Sequence, residues 1–353
     1  MKRTFTNIIA ALTVVICAAM MPAEAVAQKT AAKQKDATQN ALLERGYSSI
    51  TEARSRNYMA FLADDLLEGR DAGMRGGQLA ARYIMSYLQE WGIAPFGAEG
   101  YLQPFDAAQV TKPDRGRWEV HPDSIAKVKA KGAHRLRHLN NILAAIRGKR
   151  ADEYVIVGAH YDHEGMEPDM EGDGIYNGAD DNASGVVAVM QIARAFAESG
   201  RQPERTVIFA FWDGEEKGLL GSRRFMQTWP DATRIKCYLN FDMIGRGPAG
   251  NPKHLTYFFT ASHPTFGEWL RTDMTTRRFG FEPDYRAWDN PVGGSDNGPF
   301  AQAGVPIIWY HTEGHPDYTR PSDTADKIDY PKMTDICRAA FLTSWRMANE
   351  KTY

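Results

Sequence analysis

The stretch of sequence that decides the fold begins at Tyr154 and reads YVIVGAHYDH through His163. Its first six residues form a short apolar run, which is typical of a strand that is buried on both faces of a sheet. We expect this run to be a strand, and we expect the same of five others. These other runs are Asn141–Ile146, Arg205–Trp212, Tyr238–Phe241, Leu255–Phe259 and Val305–Tyr310.

Helical patterns separate the apolar runs. Between Ile50 and Trp91, apolar residues recur at steps of three and four, and the glycine-rich chain from Gly69 to Gly77 divides this pattern into two helices. Strands that alternate with helices favour a sheet covered on both faces. We therefore predict an α/β fold, a three-layer α/β/α sandwich with a mixed, mostly parallel central sheet. Further helices are predicted at Ser184–Ala197, Leu219–Trp229, Pro264–Phe279 and Tyr330–Asn349.

The N-terminal residues have the pattern of a secretory signal peptide. Lys2 and Arg3 precede an apolar run, and small residues follow it. We expect residues 1–27 to be this signal peptide, residues 28–49 to be a flexible lead-in, and residues 50–353 to form a single catalytic domain. The apolar run is too short for a comfortable membrane span, so we expect a secreted or periplasmic protein.

Charge and cysteine content limit the class of protein further. The 353-residue chain has a formal net charge of −2, so it lacks the basic field of a protein that binds nucleic acid or an anionic membrane. Of the three cysteines, Cys17 lies in the predicted signal peptide. Cys237 and Cys337 either pair in one disulfide or are two buried apolar side chains, and we favour the second interpretation.

Polar residues follow the predicted strand that ends at Ala159. His160 stands at the strand end, where an imidazole is a good zinc ligand. Asp162 lies within reach to fix the tautomer of that imidazole. The next polar segment contains Asp180 and Asp181 in a glycine-flanked turn before a buried helix. A carboxylate in this position either caps the helix or bridges two cations.

Two further strands also end in acidic residues. Glu215 and Glu216 follow a buried strand, and since neighbouring side chains point in different directions, one can bind a metal while the other faces a substrate water. Asp242 ends another apolar strand and needs a compensating positive charge, which a metal ion provides. Ligands of such folds collect at the carboxyl ends of the strands. A long loop at 310–324, rich in His, Asp and Tyr, follows the last strand.

Taken in order, these segments resemble the co-catalytic zinc exopeptidases of metallopeptidase family twenty-eight, which includes bacterial aminopeptidases and is related to glutaminyl cyclases. The resemblance covers about residues 50–347 and implies a peptide substrate. It implies that His160 and Asp242 bind one zinc ion, that Glu216 binds a second, and that Asp181 bridges the two. Asp181 is selected over Asp180 because the bridging carboxylate of the family directly precedes an Asn-x-Ser-Gly run.

The resemblance also implies catalytic roles. Glu215 would be the general base, Asp162 would orient the zinc-binding imidazole, and Tyr318 would hydrogen-bond the substrate carbonyl.

Two positions depart from the family pattern. Thr319 stands where the family has its last zinc-binding histidine, and Asn297 stands where relatives often have histidine. Either His315 or His311 supplies the missing ligand, or the protein binds one zinc ion or holds the second weakly.

The sequence therefore leaves three functions to compare. The first is a zinc-dependent exopeptidase, and in particular an aminopeptidase. The second is a single-zinc acyltransferase of the glutaminyl-cyclase kind, which Thr319 would suit. The third is a degenerate, non-catalytic peptide-binding protein, against which Glu215 and the other retained ligands count. No nucleic acid and no membrane span are expected in any of them.

Overall fold

The computed structural model describes residues 23–110, 117–289 and 293–353, with side chains at residue 34 and from residue 37 onward. The described residues up to residue 41 and those from residue 42 onward form two separate compact units. The predicted signal peptide lies largely outside the described residues and stays a prediction. Along the described chain, no helix is both long enough and apolar enough to cross a membrane.

Helices and strands alternate along most of the described chain, and every helix and strand predicted from the sequence is present. The helices are α1 (Ala23–Ser49), α2 (Glu52–Leu62), α3 (Arg75–Glu90), α4 (Pro122–Ala130), α5 (Gly185–Ser199), α6 (Leu220–Thr228), α7 (Thr265–Arg277), α8 (Asn297–Gln302) and α9 (Tyr330–Asn349). The strands are β1 (Ala94–Pro95), β2 (Leu102–Val110), β3 (His134–Ile146), β4 (Arg150–His160), β5 (Gly165–Met166), β6 (Ile175–Tyr176), β7 (Arg205–Trp212), β8 (Ile235–Phe241), β9 (His254–Phe259), β10 (Glu282–Ala287) and β11 (Ile307–His311).

Nine of the described strands build one large mixed sheet, and β5 and β6 form a separate two-stranded sheet. The order of the large sheet is β1-β3-β7-β4-β8-β11-β9-β10, and β2 pairs with β3 outside that path. The neighbours β7, β4, β8 and β11 are parallel, and so are β9 and β10. Antiparallel pairs join β3 to β7 and β9 to β11. The predicted mixed sheet is confirmed, and the parallel strands occupy its centre.

Helices cover both faces of the sheet. On one face, α5 and α9 pack against the central strands, and α2, α3 and α7 complete the layer. On the other face, Phe225 of α6 and Phe300 of α8 pack against Ile156, Ile208 and Trp212. Burial on both faces explains the continuous apolar runs in the sequence. The three-layer α/β/α sandwich is therefore confirmed.

The sequence analysis missed the edge strands. Among the described strands β2 pairs with β3 alone, apart from isolated bridges such as that between Ala108 and Glu119, and it contains Pro104 and both buried and exposed positions. β10 is largely exposed and has a single neighbour, β9. Edge strands tolerate proline and polar residues, so neither segment has the apolar run that identified the central strands.

The start of the folded domain differs from the expectation. Residues 28–49, predicted as a flexible lead-in, lie within α1, because Ala, Lys, Gln and Glu are strong helix formers. Leu42, Leu43 and Tyr47 pack against the core of the larger unit. That unit therefore begins at Leu42 and not at residue 50.

The two remaining cysteines are buried in the interior. Cys237 of β8 and Cys337 of α9 are both fully buried, and both are free thiols in the structure. They pack in the core between the sheet and the helical layer that contains α5 and α9, as the interpretation of two apolar side chains predicts.

The parallel centre of the sheet brings several strand ends to one edge. Gly158 of β4 stands beside Ala210 of β7 and Asn240 of β8, and Phe241 of β8 stands beside Tyr310 of β11. The residues that follow these strands consequently meet at the carboxyl edge, where open α/β sheets bind their ligands.

Gly46 provides a test of where the domain begins. A Cβ atom there would lie 2.6 Å from the carbonyl oxygen of Ala195 and 2.7 Å from Cζ of Phe341. Gly46→Val should therefore lower the free energy of unfolding by about 1–3 kcal/mol through overpacking. Ser48→Val, on the exposed side of the same helix, should change it by less than about 0.5 kcal/mol. Denaturant unfolding followed by circular dichroism measures both, and equal effects would contradict the docking of this helix end.

Candidate metal centre

His160 is the last residue of β4 and is almost fully buried. Its Nδ1 atom lies 3.2 Å from the backbone carbonyl oxygen of Asp162, so a proton on Nδ1 can be donated to that carbonyl. The other nitrogen, Nε2, then offers its lone pair. It faces Asp181 Oδ1 at 3.5 Å and Asp242 Oδ1 at 3.7 Å.

The carboxylate of Asp162 has a different position from the one predicted. Its Oδ1 atom lies 3.7 Å from His160 Nδ1, which is too long for a hydrogen bond. The carboxylate instead accepts the backbone N–H of Glu215 at 3.0 Å and that of Glu216 at 3.4 Å. The backbone carbonyl of Asp162 thus orients the imidazole of His160. The carboxylate of Asp162 holds the turn that carries Glu215 and Glu216.

Glu215 and Glu216 follow β7, and their side chains belong to two different sets of possible metal ligands. Glu215 lies with His160 and Asp242 in one set of possible metal ligands, whereas Glu216 lies with His160 and Asp181 in a second. Within each set the ligand atoms lie within 4.8 Å of one another. The membership of Glu215 and Glu216 in different sets agrees with the prediction that their side chains point in different directions.

Asp181 is held by the turn that precedes α5. Asp323 Oδ2 accepts the backbone N–H of Asp180 at 2.9 Å and that of Asp181 at 3.1 Å. Asp180 turns away from the cluster, and its Oδ1 accepts the N–H of Gly245 at 2.6 Å. Asn182 also bonds the segment after β8, through the carbonyl of Phe241. The first aspartate of the pair therefore anchors the turn, and the second is free to face His160.

Burial and mutual repulsion govern the charge of the cluster. Burial raises the pKa of Glu215 well above its usual value, and Asp296 and Glu216 raise it further, while His160 lowers it. Burial likewise raises the pKa of Asp181 well above its usual value, with a further rise from Glu216 and Asp242. Neighbouring carboxylates cannot all stay ionised in a buried site unless a cation neutralises them.

Asp242 and Glu216 differ from these two carboxylates. Burial acts to raise the pKa of Glu216, but its hydrogen bond with His163 and the neighbouring imidazoles lower it below its usual value. Burial also acts to raise the pKa of Asp242, but the combined effect of the neighbouring His160, His311 and Ser295 is larger, and the pKa of Asp242 is lowered. The carbonyl oxygen of Asp242 also lies 2.7 Å from His311 Nδ1. His311 therefore meets the backbone of this segment, and it belongs to neither set of possible metal ligands among the described residues.

Arg70 is a buried cation that the sequence analysis missed. Its guanidinium donates to the backbone carbonyls of Leu62, Tyr161, Asn177 and Gly178, at 2.5–3.0 Å. Burial lowers the pKa of Arg70 to about 10, while Asp181 and Asp162 act in the opposite direction. The side chain thereby ties the chain after β4 to the loop that leads to Asp181, and it adds positive charge behind the cluster.

The structure does not bring His315 to the cluster. Its Nε2 atom lies 3.2 Å from Asp180 Oδ2, and it is in neither set of possible ligands among the described residues. The prediction that His315 binds a metal gains no support from this arrangement, because the imidazole faces Asp180 and lies outside both sets. Asn297 lies beneath the cluster, where its side-chain oxygen is 3.4 Å from Asn240 Nδ2.

Tyr318 lies at the rim and is half exposed. Burial raises its pKa to about 12, and the charges of Asp181, Glu216 and Asp242 add to the rise. Thr319 is exposed, with a backbone φ of +53°.

His163 is the imidazole that the sequence analysis overlooked as a site residue. It is fully buried, and its Nδ1 lies 2.7 Å from Glu216 Oε1 and 4.0 Å from Asp181 Oδ2. The signal was present in the sequence, because His163 stands only three residues after His160 at the same strand end.

The geometry around His160 fits a zinc ion. Zinc bonds nitrogen and oxygen at about 2.0–2.2 Å, so neighbouring ligands of one tetrahedral ion lie about 3.3–3.6 Å apart. The distances from His160 Nε2 to Asp181 and Asp242 are close to this range. Nε2 is buried and has no hydrogen-bond partner among the described residues. A lone pair in this state suits a metal ligand.

The sequence comparison identifies the family. The profile of Peptidase family M28 matches residues 141–343, which contain each of these possible metal ligands. The chain therefore belongs to peptidase family M28.

Two relatives illustrate the similarity. A probable zinc metalloprotease of Pyrenophora tritici-repentis is 27% identical over 256 residues, which cover 60% of this chain and 57% of the relative. A probable leucine aminopeptidase of Arthroderma otae is 28% identical over 289 residues, covering 77% of this chain and 74% of the relative. The chain thus spans little more than half the length of the first of these relatives.

Solved structures share the fold. BSAP, a zinc aminopeptidase from Bacillus subtilis, has a TM-score of 0.62 at 17% identity, over 86% of this chain and 97% of that one. The glutaminyl cyclase of Porphyromonas gingivalis has a TM-score of 0.58 at 14% identity, over 84% and 99%. Both likenesses establish the zinc-exopeptidase type of α/β fold.

Arg70 yields a stability prediction. Arg70→Met would leave four carbonyl groups without their donor, so we expect a loss of about 3–5 kcal/mol in the free energy of unfolding. The matched control is Arg75→Met, since Arg75 is 70% exposed and pairs only with Glu68. It should cost less than about 1 kcal/mol. Chemical denaturation of both variants provides the measurement, and similar losses would refute the anchoring role of Arg70.

Proposed function

We propose that the protein is a zinc-dependent aminopeptidase that hydrolyses the N-terminal residue from peptides. One observation carries the proposal. His160, Asp181, Glu216 and Asp242 converge at the carboxyl edge of the sheet, with Glu215 beside them. Family membership supports a peptidase, and the relative named as a leucine aminopeptidase supports release from the N-terminus.

The charge of the site favours a free amino terminus over a carboxylate. The cluster is rich in acid, and cations at its border already have partners. Lys217 Nζ lies 3.0 Å from Glu164 Oε2, and Arg246 Nη1 lies 2.7 Å from Asp317 Oδ2. A C-terminal carboxylate would have to displace these existing partners to be bound by either cation, whereas a substrate α-ammonium group needs neither of them.

The residues of this chain have distinct tasks in the proposed reaction. Zinc, when bound by His160, Asp242 and Asp181, supplies a Lewis acid and lowers the pKa of the attacking water to about 7. Glu215 takes a proton from that water at its carboxylate and later passes the proton to the leaving amine. Asp162 fixes the backbone of Glu215. Tyr318 donates its hydroxyl to the carbonyl oxygen as negative charge develops there.

A cyclase is the second candidate. The fold that this chain shares with a glutaminyl cyclase favours this function. Thr319 favours it as well, because threonine is a poor ligand for a second zinc ion. A cyclase needs only one zinc ion, which polarises the γ-carbonyl of the N-terminal glutamine while the substrate's own amine attacks that carbonyl. The third candidate, a non-catalytic peptide-binding protein, would hold peptide without forming product.

One set of assays separates the three functions. The purified protein is incubated with peptides that carry a free, an acetylated or a glutaminyl N-terminus, and zinc per chain is measured in parallel. An aminopeptidase releases free amino acids only from unblocked peptides. A pyroglutamyl product with loss of ammonia identifies a cyclase. Bound peptide without either product identifies a binding protein, and an absence of bound zinc at excess metal would overturn the proposal.

Glu215→Gln tests the general base. The amide cannot accept a proton, so kcat should fall by about 10²–10⁴-fold, while zinc content should stay unchanged because the proposed ligands remain. Glu171→Gln, on the exposed loop between β5 and β6, serves as the control and should leave kcat unaltered. Retained activity in Glu215→Gln would exclude the base, and loss of zinc would make Glu215 a metal ligand instead.

We also propose that the protein is exported through its N-terminal residues to the periplasm or the medium. The charged start, the apolar run and the small residues before Gln28 support this. N-terminal sequencing of the protein recovered from cell fractions is the test. A mature chain that begins at Val26 or Gln28 agrees with export, whereas an intact Met1 in the cytoplasmic fraction contradicts it.

A further inference from the structure

The second metal position raises a question that the family pattern does not answer. Thr319 replaces the histidine that the pattern places there, and its hydroxyl is a poor ligand for zinc. Its side chain is exposed. The imidazole of His315 faces Asp180, and His311 Nδ1 contacts the backbone carbonyl of Asp242. Among the described residues, the set that contains Asp181 and Glu216 has His160 as its third member and includes neither these three residues nor His163.

His163 stands beside that set from the opposite side. Its Nδ1 lies 2.7 Å from Glu216 Oε1 and 4.0 Å from Asp181 Oδ2. The first distance is that of a direct hydrogen bond, and the second is longer than the separation of about 3.3–3.6 Å expected between ligands of one tetrahedral zinc ion. A shared ion therefore requires the two carboxylates to shift by a few tenths of an ångström relative to the ring. An imidazole nitrogen and two carboxylates form an ordinary three-ligand protein set for zinc.

The surrounding chain holds the His163 ring in place. The backbone N–H of His163 donates to the carbonyl of Arg70 at 3.2 Å. Gly178, with a φ of +55°, passes so close that a Cβ atom there would lie 2.5 Å from Cδ2 of the imidazole. The ring is fully buried, and its Nε2 has no hydrogen-bond partner among the described residues. A ring fixed in this way has little freedom to lose on binding a metal.

We propose that His163 is the imidazole ligand of a second zinc ion, which it binds together with Asp181 and Glu216 in place of the histidine missing at position 319. The proposal rests on the proposed function, since it completes the same metal centre. It makes the protein a two-zinc enzyme whose second ion is held from the end of β4 and not from the loop after β11.

Metal stoichiometry tests the proposal without reference to activity. The wild-type protein and its variants are dialysed against buffered zinc, and zinc per chain is measured by mass spectrometry. We expect two zinc ions in the wild type and one in His163→Ala. Thr319→His should leave the wild-type count at two, and in the His163→Ala background it should restore the second ion. His138→Ala, at a side chain that is 80% exposed, is the control and should keep both ions.

His163→Gln separates binding of the metal from positioning of Glu216. The glutamine amide can still donate a hydrogen bond to Glu216, but it is a poor zinc ligand. If His163 binds zinc, this variant loses the second ion, and the visible spectrum of the cobalt-substituted protein loses the contribution of that site. Two ions retained in His163→Gln or His163→Ala would overturn the proposal. So would a wild type with one ion that Thr319→His raises to two.

The outcomes also separate this proposal from the proposed function. A wild-type protein that binds one zinc ion and still releases N-terminal amino acids keeps the aminopeptidase and rejects His163 as a ligand. A wild type that binds no zinc rejects both. Near-ultraviolet circular dichroism of each variant confirms that its fold is intact, so that a lost ion reports on the site itself.

Discussion

The rest of the site depends on the burial of several carboxylates around one imidazole. Asp181, Glu215 and Glu216 cannot all keep their charges in the interior without a cation, and His160 presents an unpaired nitrogen to the same space. The fold places the group at the carboxyl edge of four parallel strands, where the strands are rigid and the loops are free to vary. The carboxylates of Asp162 and Asp323 hold the backbone of Glu215, Glu216 and Asp181 in position before any metal arrives, which reduces the cost of binding one.

The pairs Asp180–Asp181 and Glu215–Glu216 show how two acidic residues that are adjacent in sequence have different roles. In the first pair, Asp180 accepts the backbone N–H of Gly245, and Asp181 is left to face His160. In the second pair, both backbone N–H groups are fixed by Asp162, while the side chains of Glu215 and Glu216 join different sets. Support of this kind from outside the metal-binding groups commonly contributes 10–100-fold, roughly, to metal affinity or activity.

The sequence predicted the central strands, the covering helices and the cluster around His160, because burial on both faces of a sheet leaves continuous apolar runs and a parallel sheet gathers its strand ends at one edge. It did not predict β2 and β10, whose exposed edges lack such runs. The role of Asp162 was only partly correct, since its carbonyl, and not its carboxylate, meets the imidazole. Arg70 was missed for a different reason, because its importance comes from contacts between segments distant in sequence, which no local pattern reveals. His163 was overlooked although it stands only three residues after His160.

Arg70 has a consequence for how such a protein can be divided. The family profile begins at residue 141, and every residue that we assign to the metal lies beyond that point. The guanidinium that ties Tyr161 to Asn177 and Gly178 nevertheless comes from residue 70. Recombination that exchanged only the matched segment between two relatives would transfer the ligands without the side chain that secures their loops. The N-terminal third and the metal centre must accordingly be inherited as one unit.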